Sequence, residues 1–390
     1  MGSARRLGWR WGMAVSLVLA VSAATAWADV TTERSSSILI FPKVLFDTTG
    51  TQTGGIPVDT IIQISNTSNS MVFAHCFYVN ASPVDPTRAP GSTNPREWQE
   101  VDFDVFLTKQ QPTHWLVSAG RRINPVDNQG CSVDCSNAGF DPGAIPPVPD
   151  HFTGELKCIE VDSSGAPING NHLKGEATIV TLDGRADTSK YNAIGLLGLN
   201  TDLNANNGDD TLCLGGGATP GCPNGAEYNG CPQRVILDHF AENATDPVVE
   251  ALGNGASRVF TELTIVPCSE DFENQIPATV TVQFLMINEF EQTFSTSAPV
   301  TCWANLRLSQ IGSIGRIFDV SLLGTRFVQT RMTAPDFDGS GNPMSGFVGI
   351  TEEFHQQPTS TTPIVSRAAL NLHGEGVRQP GDTIILPGAF

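Results

Sequence analysis

Val101-Asp102-Phe103-Asp104-Val105-Phe106-Leu107 places apolar side chains at 101, 103, 105 and 107 and aspartates at 102 and 104. Successive side chains of an extended strand point to opposite faces, so a period of two specifies a strand with one dry face and one wet face. Val280, Val282, Phe284 and Met286 repeat the pattern against Thr279, Thr281 and Gln283. Further strand-like runs lie at 38–46, 60–65, 71–79, 114–119, 156–161, 177–182, 259–266, 301–308, 327–332, 347–351, 368–372 and 383–386. Turn formers such as Asn66-Thr67-Ser68-Asn69-Ser70 and Asp162-Ser163-Ser164-Gly165 separate them. No long segment keeps a 3.6-residue apolar stripe. Many short strands with turns between them predict an all-β chain of one or two β-sandwich domains with long disulfide-stapled loops.

The composition narrows the function classes. The chain has 390 residues and a formal net charge of -18, with 22 Lys+Arg against 40 Asp+Glu. Phosphate backbones are held by clustered cations, and no basic run follows the first ten residues, so nucleic acid is excluded as a partner. Hydrophobic residues make up 40% of the chain, enough to build a core and argue against wholesale disorder.

Residues 1–28 read as a secretory signal: Arg5, Arg6 and Arg10 form a basic start, Met13 to Val21 an apolar stretch, and Ala26-Trp27-Ala28 a small-residue cleavage site. The apolar stretch is too short for a bilayer span, and no later segment is long enough, so no transmembrane segment is expected after processing. Cleavage removes three of the 22 basic residues and no acid, which leaves 19 opposing 40 and a net charge of -21. The mature chain is expected to divide into an N-terminal sandwich over 29–190, a Gly/Asn/Cys-rich connection over 191–255, and a C-terminal sandwich over 256–390.

Nine cysteines on an exported chain point to disulfides rather than metal. No C-x-x-C pair occurs, and the histidines are scattered. Cys213, Cys222 and Cys231 are expected to staple the loop that carries them, while Cys268 and Cys302 fall on predicted strands that they can cross-link. Cys76 is expected either to pair with Cys158 or to stay a buried free thiol, and Cys131 and Cys135 complete the set. The odd count leaves one thiol over.

Between Asp59 and Gly120 the runs follow a set order: a strand ending in Ser65-Asn66-Thr67-Ser68, a strand 71–79, a proline-rich loop, then 101–107 and 114–119 as a hairpin around Pro112. This order resembles that of immunoglobulin-like sandwiches in exported bacterial proteins, although the tryptophan and cysteine pair of antibody domains have no counterpart here. Ile61-Ile62-Gln63-Ile64-Ser65-Asn66-Thr67-Ser68-Asn69 and Leu107-Thr108-Lys109-Gln110-Gln111-Pro112-Thr113-His114-Trp115 also resemble segments of an uncharacterised family of predicted secreted, β-rich bacterial proteins with no assigned activity. The resemblance implies an extracytoplasmic compartment and carries no activity.

Asp336-Phe337-Asp338-Gly339-Ser340-Gly341-Asn342 is the most specific local motif. Asp336, Asp338 and Ser340 stand at positions one, three and five of a candidate calcium loop, where alternate oxygens converge on a hard cation. Position twelve is Phe347 instead of the bidentate glutamate, and a polar hairpin loop accounts for the same residues. Asp202-Leu203-Asn204-Ala205-Asn206-Asn207-Gly208-Asp209-Asp210 is a looser version of the loop. Glu352-Glu353-Phe354-His355 puts an acid and an imidazole three apart, as a metal pair on a helical turn or as a solvated turn. His75, His114 and His239 lie in or beside apolar runs and read as structural. Trp115 and Trp303 are expected in the core, and Trp98, in the proline-rich loop, is the candidate exposed platform for a ligand.

No nucleophile elbow, H-E-x-x-H or phosphate loop occurs in the sequence. The expectation is an exported structural, surface or binding protein, secreted, periplasmic or on the cell surface, with a glycan or a surface protein as partner and calcium as the candidate cofactor. The alternatives are a secreted hydrolase acting on glycans through a carboxylate pair, and a glycan-binding module built on Trp98.

Overall fold

The computed structural model describes residues 30–388 apart from 92, 122–142, 185–186, 200–209, 216–221, 224, 248–249, 251–256, 313–315, 340–343, 357–363 and 379. The signal segment, Cys131, Cys135, Ser340 and the 202–209 part of the second acidic loop therefore lie outside the described residues.

The chain is all-β, and among the described residues helix is limited to short turns such as Val320–Leu323, which Asp319 caps and Gly324 ends in the left-handed region. Numbered in chain order, the strands of the described residues form five sheets. The first has six strands in the order β1 (Val30–Thr31), β10 (Ile194–Leu196), β2 (Ile38–Phe46), β7 (Phe152–Val161), β4 (Val72–Asn80) and β5 (Gln99–Leu107). The second runs β6 (Pro112–Leu116), β3 (Val58–Asn66), β8 (Leu173–Thr181) and β9 (Thr188–Asn192). The third has five strands: β16 (Thr293–Thr301), β15 (Thr279–Asn288), β18 (Phe327–Thr333), β12 (Pro232–Phe240) and β21 (His373–Val377). The fourth runs β17 (Ala304–Arg307), β13 (Arg258–Pro267), β19 (Phe347–Gln356) and β20 (Ile364–Asn371), and the fifth β11 (Thr211–Leu214), β22 (Asp382–Ile385) and β14 (Glu270–Asp271).

The opening heptapeptide is β5. Phe103, Val105 and Leu107 are buried as the alternation requires, whereas Val101 at the start of the strand is exposed. The hairpin expected around Pro112 does not form. β5 pairs with β4 in the first sheet, and β6 pairs with β3 in the second, so the turn is a corner between sheets. Asn66 holds that corner by donating from its side-chain amide to the carbonyls of Leu107, Thr108 and Ser70. The immunoglobulin-like order expected over 59–120 is corrected at this point, because period-two patterning fixes which face of a strand is dry and does not fix its neighbour.

Burial shows how the layers meet. β7 is buried along its whole length and β2 at every residue but Phe46, so the middle of the first sheet is covered on both faces, while its edge strand β5 keeps one face wet. On one side Trp115 of β6 donates from its indole nitrogen to the Tyr78 hydroxyl at 2.6 Å and meets Phe103 edge to face. On the other, Phe77 stacks on Phe272, which follows β14, with centroids 4.2 Å apart. The third and fourth sheets enclose a second core that includes Val282, Phe284 and Met286 from β15 and Val259, Leu263 and Ile265 from β13. The segment 191–255 supplies β10 to the first sheet, β11 to the fifth and β12 to the third.

β7 lies between β2 and β4, and Gly154 is where the fit is tightest: a Cβ there would stand 1.9 Å from the Val79 carbonyl oxygen. Gly154→Ala is expected to cost about 1–3 kcal/mol through overpacking, read as a lower denaturation midpoint with an unchanged slope. An unchanged midpoint would mean that β4 and β7 are not held at this separation.

Candidate functional site

A cleft of about 810 Å³ opens where the loops of the first sheet meet the outer face of the fourth. Its floor follows from strand geometry. β13 and β19 pair so that Phe260 lies opposite Phe354, and β13 and β17 pair so that Glu262 lies opposite Arg307. Residues two apart on one strand share a face, so Phe260 and Glu262, with Phe354 and Gln356 beside them, present one continuous surface. The Phe260 and Phe354 rings stack 4.6 Å apart and nearly parallel, and the Arg307 guanidinium lies 4.0 Å from the Phe260 centroid. Arg307 is oriented by Glu242, whose carboxylate accepts from its Nε at 2.9 Å.

The opposite wall comes from the N-terminal part of the chain. Trp303 is buried and donates from its indole nitrogen to the Pro42 carbonyl at 2.7 Å, and Arg96 lies over its ring at 4.9 Å. Arg96 also donates to the Ala81 carbonyl. Burial pulls its pKa down to about 10, which leaves it cationic at neutral pH. The aromatic faces under the cleft are thus capped by guanidinium groups or by each other. What remains open to a ligand is mixed: two cations, the carboxylates of Glu262 and Asp183, and the amides of Asn305, Gln310 and Gln356, beside the apolar edges of Ile56, Pro57 and Leu306.

Lys43 locks the two walls together. Its Nζ lies 2.9 Å from Glu262 and also bonds to Glu352, and Ser189 donates to Glu352 from the second sheet. Burial works to lower the Lys43 pKa, but the two carboxylates outweigh it and hold it above the ordinary lysine value. Burial works to raise Glu352, and Lys43, Arg367 and Ser189 together leave it below the ordinary carboxylate value. Glu262 and Glu352 are a convergent carboxylate pair, yet an ammonium sits between them and Glu352 is buried. They hold structure and leave no open acid–base pair.

The residues singled out from sequence are placed as follows. Cys76 pairs with Cys158 across directly opposed positions of β4 and β7, Cys213 with Cys222, and Cys231 with Cys268. The link that Cys268 and Cys302 could have made is absent, because Cys231 takes Cys268 and Cys302 is a buried free thiol. Cys231 therefore leaves its own loop and ties the start of β12 to the end of β13. Asp336 and Asp338 are exposed, and Asp336 lies 3.9 Å from the Arg378 guanidinium. Trp98 is half-buried and stacks on Phe272 at 6.0 Å, so it packs against the first core. Glu352 and His355 form no solvated turn: both are buried on β19, and His355 bonds to Asp246. Trp115, Trp303 and His239 are buried as expected, and His114 is exposed on β6. Lys43, Phe260, Phe354 and Arg307, which build the cleft, were not among the candidates. A lone lysine in the apolar run Ile38–Phe46 was the signal that was available for them.

No protein-family model matches the chain, and no curated protein matches it. Among solved structures it is similar to a "putative secreted protein from Parabacteroides distasonis" at 10% identity and a TM-score of 0.17, over 88% of this chain and 90% of that one. It is also similar to a chain of broad bean stain virus at 10% identity and a TM-score of 0.13, over 96% of this chain and all of that one. Likenesses at this level bear on neither fold nor activity. Among the described residues, no helix is long and apolar enough to cross a membrane.

Proposed function

We propose that this chain is an exported, disulfide-braced binding protein that holds a polar, hydroxyl-rich ligand, such as the end of a glycan, in the cleft between its first and fourth sheets. The cleft itself carries the reading: it is walled by two separate parts of the chain and lined by amides, carboxylates and cations alongside apolar side chains. Three disulfide pairs support an oxidising compartment, in line with the signal read at 1–28. Binding is favoured over glycan hydrolysis because Lys43 occupies the space between Glu262 and Glu352. The platform for such a ligand is the amide-lined floor, since Trp98 is engaged with Phe272.

Calorimetric titration of the mature protein against a panel of soluble oligosaccharides tests this reading. A saturable heat with one of them is expected, weakened roughly tenfold by Gln356→Ala through loss of a hydrogen bond. No heat with any member, or binding indifferent to Gln356→Ala, would remove the cleft as the site. Export is tested separately by N-terminal sequencing. Asp29 as the first residue is expected, and an intact Met1 on reduced cytosolic protein would overturn it.

A further inference from the structure

Five lysines occur in the chain, and two of them, Lys43 and Lys157, have side chains 1% and 0% exposed. Lysine is almost never fully buried unless paired, because its ammonium loses so much hydration. Lys157 projects from β7 on the side of the first sheet that faces β14. Its Nζ lies 3.2 Å from Glu155 Oε2, two residues away on the same strand, and 2.6 Å from Glu270 Oε2 on β14. Both carboxyl side chains are buried, and neither Glu270 oxygen accepts a hydrogen bond, so its contact with Lys157 is an ion pair. The Phe77–Phe272 stack and the buried Cys302 belong to the same apolar cluster.

Two carboxylates against one ammonium would leave an uncompensated charge in a dry layer. Burial, reinforced by Glu270, raises the Glu155 carboxyl well above its ordinary value, while at Lys157 the two carboxylates outweigh burial and hold the amine above the ordinary lysine value. An ammonium and a carboxyl are therefore in contact, with a second carboxyl, whose charged form burial disfavours, beside them.

We propose that Lys157 and Glu270 become joined by an intramolecular amide bond, formed by the protein itself with Glu155 relaying protons. Transfer of a proton from Lys157 Nζ to the Glu270 carboxylate gives a free amine and a carboxylic acid without changing the net charge. The Nζ lone pair then attacks Glu270 Cδ. Glu155 accepts a proton from the nitrogen and returns one to the departing hydroxyl. The Nζ–Cδ bond forms, a Cδ–O bond breaks, one water leaves, and nothing is oxidised or reduced. Two features of the site favour condensation. The reacting groups are already held in contact, which supplies the effective concentration that free amine and acid lack. Two buried charges also become a neutral amide, which ends the desolvation penalty of the pair. The bond would fasten β7 of the first sheet to β14 of the fifth. Lys43 provides the contrast within the same molecule. Glu352 accepts from Ser189 as well as Lys43 and stays ionised, so that site remains an ion pair.

Mass spectrometry of the mature protein, reduced and alkylated, decides the matter. The intact mass is expected to fall one water below that of the fully alkylated mature sequence, and a digest is expected to contain a branched peptide joining Lys157 to Glu270. Glu155→Gln keeps the shape of the relay and removes its acid, so it should fold with the same circular dichroism and return to the full sequence mass. Should Lys157→Met or Glu155→Gln fail to fold, the wild-type digest still gives the answer. Lys157 and Glu270 recovered on separate, unmodified peptides would overturn the proposal.

Discussion

Lys43→Met is expected to destabilise the protein by about 3–5 kcal/mol, the usual cost of stripping one partner from a buried ion pair. The lysine is central to how the sheets meet: it reaches from β2 to Glu262 on β13 and Glu352 on β19, so its loss leaves Glu352 ionised and buried with no ammonium beside it. Methionine fills a similar volume, which leaves charge as the variable. The measurement is the urea midpoint of the mature protein. Replacing Lys43 and Glu352 together by methionine should recover most of the loss, since a buried pair exchanged for apolar residues is often neutral or better. Lys190→Met supplies the control, because its bridge to Glu176 is half-exposed and worth no more than about 1 kcal/mol. Equal effects at Lys43 and Lys190 would refute the assignment. The pH dependence has a definite sign. Glu352 is held below its ordinary carboxylate value of 4.5, so its contribution is present above pH 4.5 and is lost as pH falls through the folded value. Lys43→Met should flatten that acid limb and, by loosening the cleft walls, weaken ligand binding as well.

The sequence was informative wherever one strand face is wet. The alternation of β15 matches its burial residue by residue, whereas for β2, dry on both faces, the bounds 38–46 were legible and the faces were not. The signal failed where both faces are dry or where partners are distant. Glu352 and His355 sit in a run whose burial does not alternate, because β19 has a core on one side and Lys43 on the other. Polar residues there look like a surface turn until their partners are known. The corner after β5 was read as a hairpin because Lys109-Gln110-Gln111-Pro112 carries the chemistry of a turn but no information on which strand comes next. The cysteines behaved likewise: spacing suggested that Cys231 closes its own loop, and only the fold brings it to Cys268. The cleft was illegible as a whole, because Phe260, Phe354 and Arg307 meet through strand register. Lys43 was the visible exception, a single cation in nine otherwise uncharged strand residues.

Lowering the pH from 6.5 to about 4 is expected to remove about 3 kcal/mol of stability through His239 alone. His239 lies on β12 with no exposed surface; its Nδ1 donates to the Phe240 carbonyl and its Nε2 accepts from the Thr330 hydroxyl, the bonding of a neutral ring. Burial pushes its pKa down to about 4, from an ordinary value of 6.5. The unfolded chain therefore takes up a proton at pH values where the folded chain does not. The contribution is complete above pH 6.5, declines as the unfolded histidine titrates, and is gone once pH falls through the folded value. Urea midpoints measured across this range should decline, and His239→Gln, which cannot titrate, should be less stable at neutral pH but show a shallower decline. Equal slopes in the two proteins would place the acid sensitivity elsewhere. The location also predicts which part opens first. His239 packs against Phe318 in the second core, and none of the three described disulfides contributes a cysteine to that core, whereas Cys76–Cys158 and Cys231–Cys268 both lie in the first. Acid should therefore loosen the third sheet while the first is still held covalently. Hydrogen exchange at pH 4.5 should show β12, β15 and β18 losing protection before β4 and β7.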